Sequence, residues 1–310
     1  MKKIMVIAGA RPNFMKIAPL MSEIARHKKK MHAVLVHTGQ HYDYKMSAVF
    51  FQNLNIPEPD VYLNVGSGSH AFQTAKIMME FEEVVLREKP DVVIVVGDVN
   101  STLACSLVAS KLNIRIAHVE AGLRSFDRTM PEEVNRIVTD SISDWLFVSE
   151  KSGLTNLRRE GVDAGKMFFV GNTMIDTLLS HMKVIDRSGI VEHLHLNKKD
   201  YCVMTLHRPS NVDSTESLSE IYAILQLISR KVRIVYPVHP RTLKMIKMHG
   251  YFSRFRELDN LLMVEPLGYV DFIKLVKESL FVMTDSGGIQ EETTVLGVPC
   301  LTMRENTERP

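Results

Sequence analysis

Short aliphatic runs, many of them β-branched, alternate along this chain with longer stretches of helical spacing. The runs lie at 4–8, 33–36, 92–96, 114–117, 146–148 and 167–170, and helical patterns fall between them at 14–27, 70–86 and 102–112. Continuous apolar strands, without polar residues at every second position, are strands buried on both faces. Alternating with helices, they predict a doubly wound parallel sheet. A second series begins near Tyr201, with runs at 202–205, 234–238, 262–264, 281–284 and 300–303. The expected fold is therefore α/β, with two Rossmann-like doubly wound parallel-sheet domains facing a cleft. The helical, then polar stretch 171–199 connects them, giving domains 1–172 and 173–310. Ligands of such sheets bind beyond the carboxyl ends of the strands.

The remaining composition narrows the function classes. A chain of 310 residues is long for one core, which agrees with two domains. The net charge is +2 and no basic block stands out, against nucleic-acid binding. Cys105, Cys202 and Cys300 are widely spaced and form no metal-ligand pattern, so no metal is expected and a reducing compartment is. Met1-Lys2-Lys3 runs directly into the first strand, too short for a signal-peptide core, and no apolar run reaches membrane-spanning length. The expectation is a cytoplasmic protein without membrane or nucleic-acid partners. Gly66-Ser67-Gly68 lacks a third glycine and opens no strand-turn-helix, so no nicotinamide fingerprint is present.

The polar residues gather after the strands. Gly9-Ala10-Arg11-Pro12-Asn13 follows the first, with Lys16 about one turn into the next helix. Arg11 and Lys16 there suit a phosphate, or are surface charges. His37-Thr38-Gly39-Gln40-His41 follows the second strand. Gly97-Asp98 follows the run 92–96, with Asp98 a carboxylate of the site or an N-cap. His118-Val119-Glu120 follows the run 114–117. A carboxylate at that place suits acid–base work through a shifted pKa, or else pairs with Arg124. Pro131-Glu132-Glu133 opens a helix, where the dipole favours both acids. In the second series His207 follows a strand directly, and His239 and Arg241 follow the next. Finally, Asp285-Ser286-Gly287-Gly288 joins a strand to a helix that carries Glu292 one turn on. Adjacent glycines at a helix N-terminus let N–H groups approach an anion, and a carboxylate beyond them suits a sugar diol. The plain alternative is a turn capped by Asp285 or Ser286.

Taken in order, the segments GARPNFMKIAPL, TGQH, VGDVNST, HVEAGLRS, PEEVNR, LHRPSN, PVHPR, DSGGIQEE and TERP resemble the non-hydrolysing UDP-N-acetylglucosamine 2-epimerases, which have the GT-B fold. The resemblance spans nearly the whole chain. It implies interconversion of UDP-GlcNAc and UDP-ManNAc by a homodimer, with no nicotinamide or other cofactor. Carried over position by position, Asp98, Glu120, Glu132 and His207 match the catalytic residues. Arg11, Ser286, Gly287, Gly288, Glu292 and Arg309 match UDP contacts, Phe272 an aromatic by the uracil, and Lys16 and His239 cleft positions. The C2 proton of the sugar has no adjacent carbonyl. The family chemistry breaks C1–O instead, giving UDP and a 2-acetamidoglucal, then returns UDP with a proton on the opposite face of C2. That requires carboxylates as base and acid, and cations and N–H dipoles for the departing diphosphate. Asp98 and Glu120 are expected to handle the proton, Glu132 to orient the sugar or share the proton, and His207 to contact the leaving phosphate or the sugar.

The departures from the family pattern lie at defined places. His207-Arg208-Pro209-Ser210-Asn211 stands where HRREN is common, Asn13 where many members have Glu, and Tyr42-Asp43-Tyr44 follows TGQH. Members regulated by a second UDP-GlcNAc use side chains near these segments. The same positions leave another UDP-2-acetamido sugar, such as a diacetamido uronic acid or a deoxy sugar, as the nearest alternative substrate. A GT-B glycosyltransferase would use the same diphosphate turn but has no need of carboxylates on both faces of C2. A hydrolysing epimerase starts differently from RPNFMK, and a sensor that only binds is the remaining reading. Family members continue beyond the position of Pro310 with helices that cross back onto the first domain, so a truncated second domain is expected.

Overall fold

The structure, a computed structural model, describes residues 1–39, 51, 53–304 and 307–308, the side chains of Arg11 and Pro209 excepted. The chain divides into two compact units, Met1–Thr177 and Leu178–Arg309. The division falls inside the helix Thr173–Asp186, within the stretch read as a connector.

The first unit carries a parallel sheet of β1 (Lys2–Ala8), β2 (Met31–His37), β3 (Val61–Tyr62), β4 (Val92–Val96), β5 (Arg115–Val119), β6 (Trp145–Val148) and β7 (Met167–Phe169). Their order in the sheet is β3-β2-β1-β4-β5-β6-β7. The second unit carries β8 (Tyr201–Thr205), β9 (Arg233–Pro237), β10 (Leu261–Val264), β11 (Phe281–Thr284) and β12 (Cys300–Thr302), in the order β10-β9-β8-β11-β12, again all parallel. The two doubly wound sheets are those expected. The strand β3, two residues long and half-buried, was not among them.

Parallel strands covered by helices on both faces are built largely of apolar residues, and β4, Val-Val-Ile-Val-Val, is so throughout. Met5, Val93, Val95, Ala104 and Ile116 are among the fully enclosed residues of the first unit, packed with Ile77 and Phe81 of the helix His70–Glu88. In the second unit one face of the sheet is filled by Cys202, Met204, Tyr236 and Met283, the other by Tyr201, Val203, Val235 and Val282. Each fully buried aliphatic side chain contributes roughly 1.5–3 kcal/mol. Among the described residues no helix is long and apolar enough to cross a membrane.

The helices after β1 and β4 begin earlier than their apolar spacing suggests. The helix Arg11–Arg26 starts at Arg11 rather than Phe14, because Asn13 Oδ1 accepts the Gly9 and Ala10 N–H groups at 2.9 and 3.0 Å. The helix Asn100–Lys111 likewise starts before Thr102. The polar residues just before the apolar spacing thus form the first turns of these helices.

The strand orders fix where a ligand belongs. In the first sheet the winding reverses between β1 and β4, and in the second between β8 and β11. Beyond the carboxyl ends of strands at such a reversal, the connections leave in opposite directions and open a crevice. Gly9–Asn13 and Gly97–Asp98 follow β1 and β4; His207 and Asp285–Gly288 follow β8 and β11.

Candidate active site

In the first unit two carboxylates stand beyond adjacent strands in unlike settings. Glu120 follows β5 directly and is buried, with 6% of its surface exposed. Its Oε1 lies 2.6 Å from Nζ of Lys16, also buried, on the helix Arg11–Arg26. The backbone of Glu120 has φ 75°, the left-handed region, which costs a residue with a Cβ on the order of 1–3 kcal/mol. Its N–H and that of Ala121 both donate to the Phe147 carbonyl, at 3.0 and 3.1 Å, which holds the turn. Gly97 makes room for the pair: a Cβ there would lie 2.7 Å from Lys16 Nζ and 3.8 Å from Glu120 Oε1. The structure therefore pairs Glu120 with Lys16 and not with Arg124. Arg124 instead binds Asp140 at 2.8 Å and Glu160 at 2.6 Å.

Asp98 is more open, its side chain 25% exposed, and its Oδ2 accepts from Arg136 Nη1 at 2.5 Å. Asn135 Nδ2 donates to the Asp98 carbonyl at 2.8 Å. Arg136 is fully buried and is clamped by Glu133, through Nε at 3.0 Å and Nη2 at 2.7 Å. Burial alone would raise the Glu133 carboxyl. The Ser125 and Phe126 N–H groups and the Arg136 guanidinium outweigh it and hold the group below its ordinary range. Of the two acids that open this helix, Glu133 is thus structural. Glu132 is half-buried and has no hydrogen bond or ion pair among the described residues.

Behind Gly97 lies a buried histidine. His118 on β5 meets Asp140 Oδ1 through Nδ1 at 2.7 Å and the Gly97 carbonyl through Nε2 at 2.8 Å. Burial raises the Asp140 carboxyl, but His118 and Arg124 beside it bring it below the ordinary range. This chain of contacts fixes the Gly97–Asp98 turn from below.

In the second unit the turn after β11 is not the side-chain-capped turn that its sequence allows. Ser286 occupies the N-cap position of the helix Gly287–Leu296, but its side chain makes no capping bond, and its N–H donates to Thr284 Oγ1 at 3.0 Å. Asp285 is fully buried and turns back toward β8. There it accepts the N–H of His207 at 3.0 Å, that of Arg208 at 2.9 Å and the Asn211 side-chain amide at 2.9 Å, and it pairs with His207 Nδ1 at 2.8 Å. Gly287 and Gly288 form the first turn of the helix, with their N–H groups at its positive end. Glu292, one turn on, is buried and accepts the Tyr269 hydroxyl at 3.0 Å. Burial and that negative charge both push the Tyr269 phenol up, so it stays a donor.

The other expected residues fall as follows. Phe272 is half-buried and packs on the core between sheet and helix with Ile289. His239 is exposed and caps the helix Pro240–Met248, its Nδ1 accepting the Arg241 N–H at 3.3 Å. Arg241 pairs with Asp213 at 2.6 Å. Arg309, the Arg11 side chain and the segment Gln40 to Tyr44 lie outside the described residues. Sequence reading passed over Asp285, His118, Asp140 and Arg136 as functional groups. Asp285 alone carried a signal, its place directly before two glycines at the end of a strand.

Residues 23–310 match the family model of UDP-N-acetylglucosamine 2-epimerase. The chain belongs to that family. Among its curated relatives, a UDP-N-acetylglucosamine 2-epimerase homolog of Methanococcus maripaludis is 48% identical over 99% of this chain and 85% of its own length. The crystal structure of Methanocaldococcus jannaschii UDP-GlcNAc 2-epimerase in complex with UDP-GlcNAc and UDP matches with a TM-score of 0.93 at 44% identity, covering 99% of this chain and 85% of that one. The UDP-2,3-diacetamido-2,3-dideoxy-D-glucuronate 2-epimerase of Pseudomonas aeruginosa is 42% identical over 99% of this chain and 84% of its own length. Members of this 2-epimerase family thus include proteins named for two different UDP-2-acetamido sugars.

Proposed function

We propose that this chain interconverts UDP-GlcNAc and UDP-ManNAc by eliminating UDP and adding it back. In the forward step the C2 proton leaves to a carboxylate and the C1–O bond breaks, giving UDP and 2-acetamidoglucal. In the return, UDP oxygen re-forms the bond to C1 and a proton is delivered to the opposite face of C2. Asp98 and Glu120 are the proton-handling pair, and Glu132 orients the sugar. The buried Lys16 holds Glu120 in place through their ion pair. His207 contacts the departing phosphate, and the N–H groups of Gly287 and Gly288 with the Ser286 hydroxyl supply donors to it. Glu292 accepts from the ribose, and Arg11, Arg309, His239 and Phe272 complete the nucleotide contacts. The reaction leaves no net redox change and calls for no resident cofactor. A homodimer in the cytoplasm belongs to the same reading.

The observation that supports it most is the placement of these groups beyond the strands at, or next to, the winding reversal of each sheet. Two carboxylates with different partners follow β4 and β5, and a histidine and a glycine turn tied by one aspartate follow β8 and β11. The relative crystallised with UDP-GlcNAc and UDP supports the choice of sugar. The 42% identity to the diacetamido-glucuronate epimerase favours one second reading, that substrate in place of UDP-GlcNAc. Incubating the purified protein with each UDP-sugar and separating the products decides between them. UDP-ManNAc formed from UDP-GlcNAc is expected. Turnover of the diacetamido uronate alone would transfer the activity to that sugar.

A further inference from the structure

We propose that Asp285 is the positioning residue of His207, holding the imidazole through Nδ1 so that Nε2 is the nitrogen presented to the sugar nucleotide. This deepens the reading above and rests on its assignment of His207.

The geometry has three parts. First, β8 and β11 are neighbours in register, Thr205 opposite Thr284, so the residues just beyond them are brought side by side. The Thr205 and Thr284 hydroxyls, 2.7 Å apart, close the last rung. Second, the Asp285 carboxylate is spent on the β8 turn. Its Oδ2 takes the N–H groups of His207 and Arg208 and the Asn211 amide, and its Oδ1 takes His207 Nδ1 at 2.8 Å. Arg208 Nε returns a bond to the Asp285 carbonyl at 2.9 Å, and Asn211 reaches the Met303 carbonyl at 2.9 Å. Third, the ring is unequally placed. Asp285 is fully enclosed, whereas the His207 side chain is 49% exposed, and among the described residues Nε2 has no partner.

Chemistry decides which nitrogen carries the proton. Burial raises the Asp285 carboxyl, but the hydrogen bond and charge of His207, with the Arg208 N–H and Asn211, outweigh it and hold it at about 2. The group is an anion at neutral pH and only accepts, so Nδ1 must be the N–H. The neutral ring then has its lone pair on Nε2, and the charged ring has a second donor there. A carboxylate that fixes tautomer and orientation in this way matters to the ring's chemistry even though it never touches the substrate. The same residue leads directly into Ser286-Gly287-Gly288. One buried carboxylate therefore ties the histidine to the turn assigned to the diphosphate.

The test uses protein labelled with nitrogen-15 in histidine, with the His207 signals assigned by their loss in His207→Asn. Wild-type His207 is expected as the Nδ1–H tautomer at a pH where the ring is neutral. Asp285→Asn is expected to shift it toward Nε2–H and to lower kcat with UDP-GlcNAc about a hundredfold, with KM changed less than about threefold. Asp285→Asn/His207→Asn is expected to be no slower than His207→Asn, because the aspartate acts through the ring. An Nε2–H tautomer in the wild-type protein overturns the proposal, and that result does not depend on Asp285→Asn folding. Slow turnover by His207→Asn beside full turnover by Asp285→Asn overturns it while leaving the role of His207 intact. Full turnover by His207→Asn removes that role itself, and the proposal with it.

Discussion

Lys16 Nζ and Glu120 Oε1 lie 2.6 Å apart, both buried and joined across 104 residues of sequence. Removing one member of so enclosed a pair is strongly destabilising. Lys16→Met is predicted to cost about 3–5 kcal/mol, since it removes one member of a buried ion pair, and Glu120→Gln to cost a similar amount. Lys16→Met/Glu120→Gln is predicted to recover much of that loss while remaining inactive. Urea unfolding of the four proteins, with turnover measured alongside, checks both statements.

Gly97 precedes Asp98 and lies against the Lys16–Glu120 pair, and it is predicted to tolerate no side chain. Its φ is 66°, and a Cβ would meet Lys16 Nζ at 2.7 Å. Gly161 has a similar φ of 80° with nothing within 4 Å of the added atom. Alanine at either position costs about 1–2 kcal/mol of backbone strain. Only Gly97→Ala also displaces the Lys16–Glu120 pair. Thermal melts should fall for both, and kcat should fall at least about tenfold for Gly97→Ala while Gly161→Ala keeps its rate.

Acid stability follows from Asp285. Its carboxyl is held at about 2 in the folded protein against an ordinary 3.8. A depressed folded-state pKa stabilises above the unfolded value, and that stability is lost as the pH falls from about 4 toward 2. The contribution at neutral pH is roughly 2 kcal/mol. Asp140 and Glu133 are shifted in the same direction and add to the same window. Unfolding free energy measured between pH 5 and pH 2, values chosen to bracket this window, should fall less steeply for Asp285→Asn than for the wild type. Equal slopes would contradict the assignment.

The fold was readable because β4, Val-Val-Ile-Val-Val, and its like have no other way to be buried. The half-buried β3 and the polar first turn at Arg11 gave no such pattern. The polar groups were readable as candidates, since each follows a strand, but their partners were not. Spacing of four residues suggested Arg124 for Glu120, whereas the sheet order brings Lys16 there from beyond β1. Asp285 looked like a helix cap, and its bond to His207 depends on β8 and β11 being neighbours, a fact of topology rather than of local sequence. Glu133, whose acidic first-turn position explains it equally well as a dipole residue, is identified as the Arg136 clamp only by its contacts.

The central claim is that a carboxylate removes the C2 proton and solvent-derived protons return to it. The most direct measurement is proton NMR of UDP-GlcNAc turned over in deuterium oxide, by the wild-type protein and by Asp98→Asn. The account predicts UDP-ManNAc whose C2 proton signal is absent, progressive loss of that signal from UDP-GlcNAc, and slowing of both by about a hundredfold or more in Asp98→Asn. UDP-ManNAc that keeps its C2 proton, or an unchanged rate in Asp98→Asn, would contradict it.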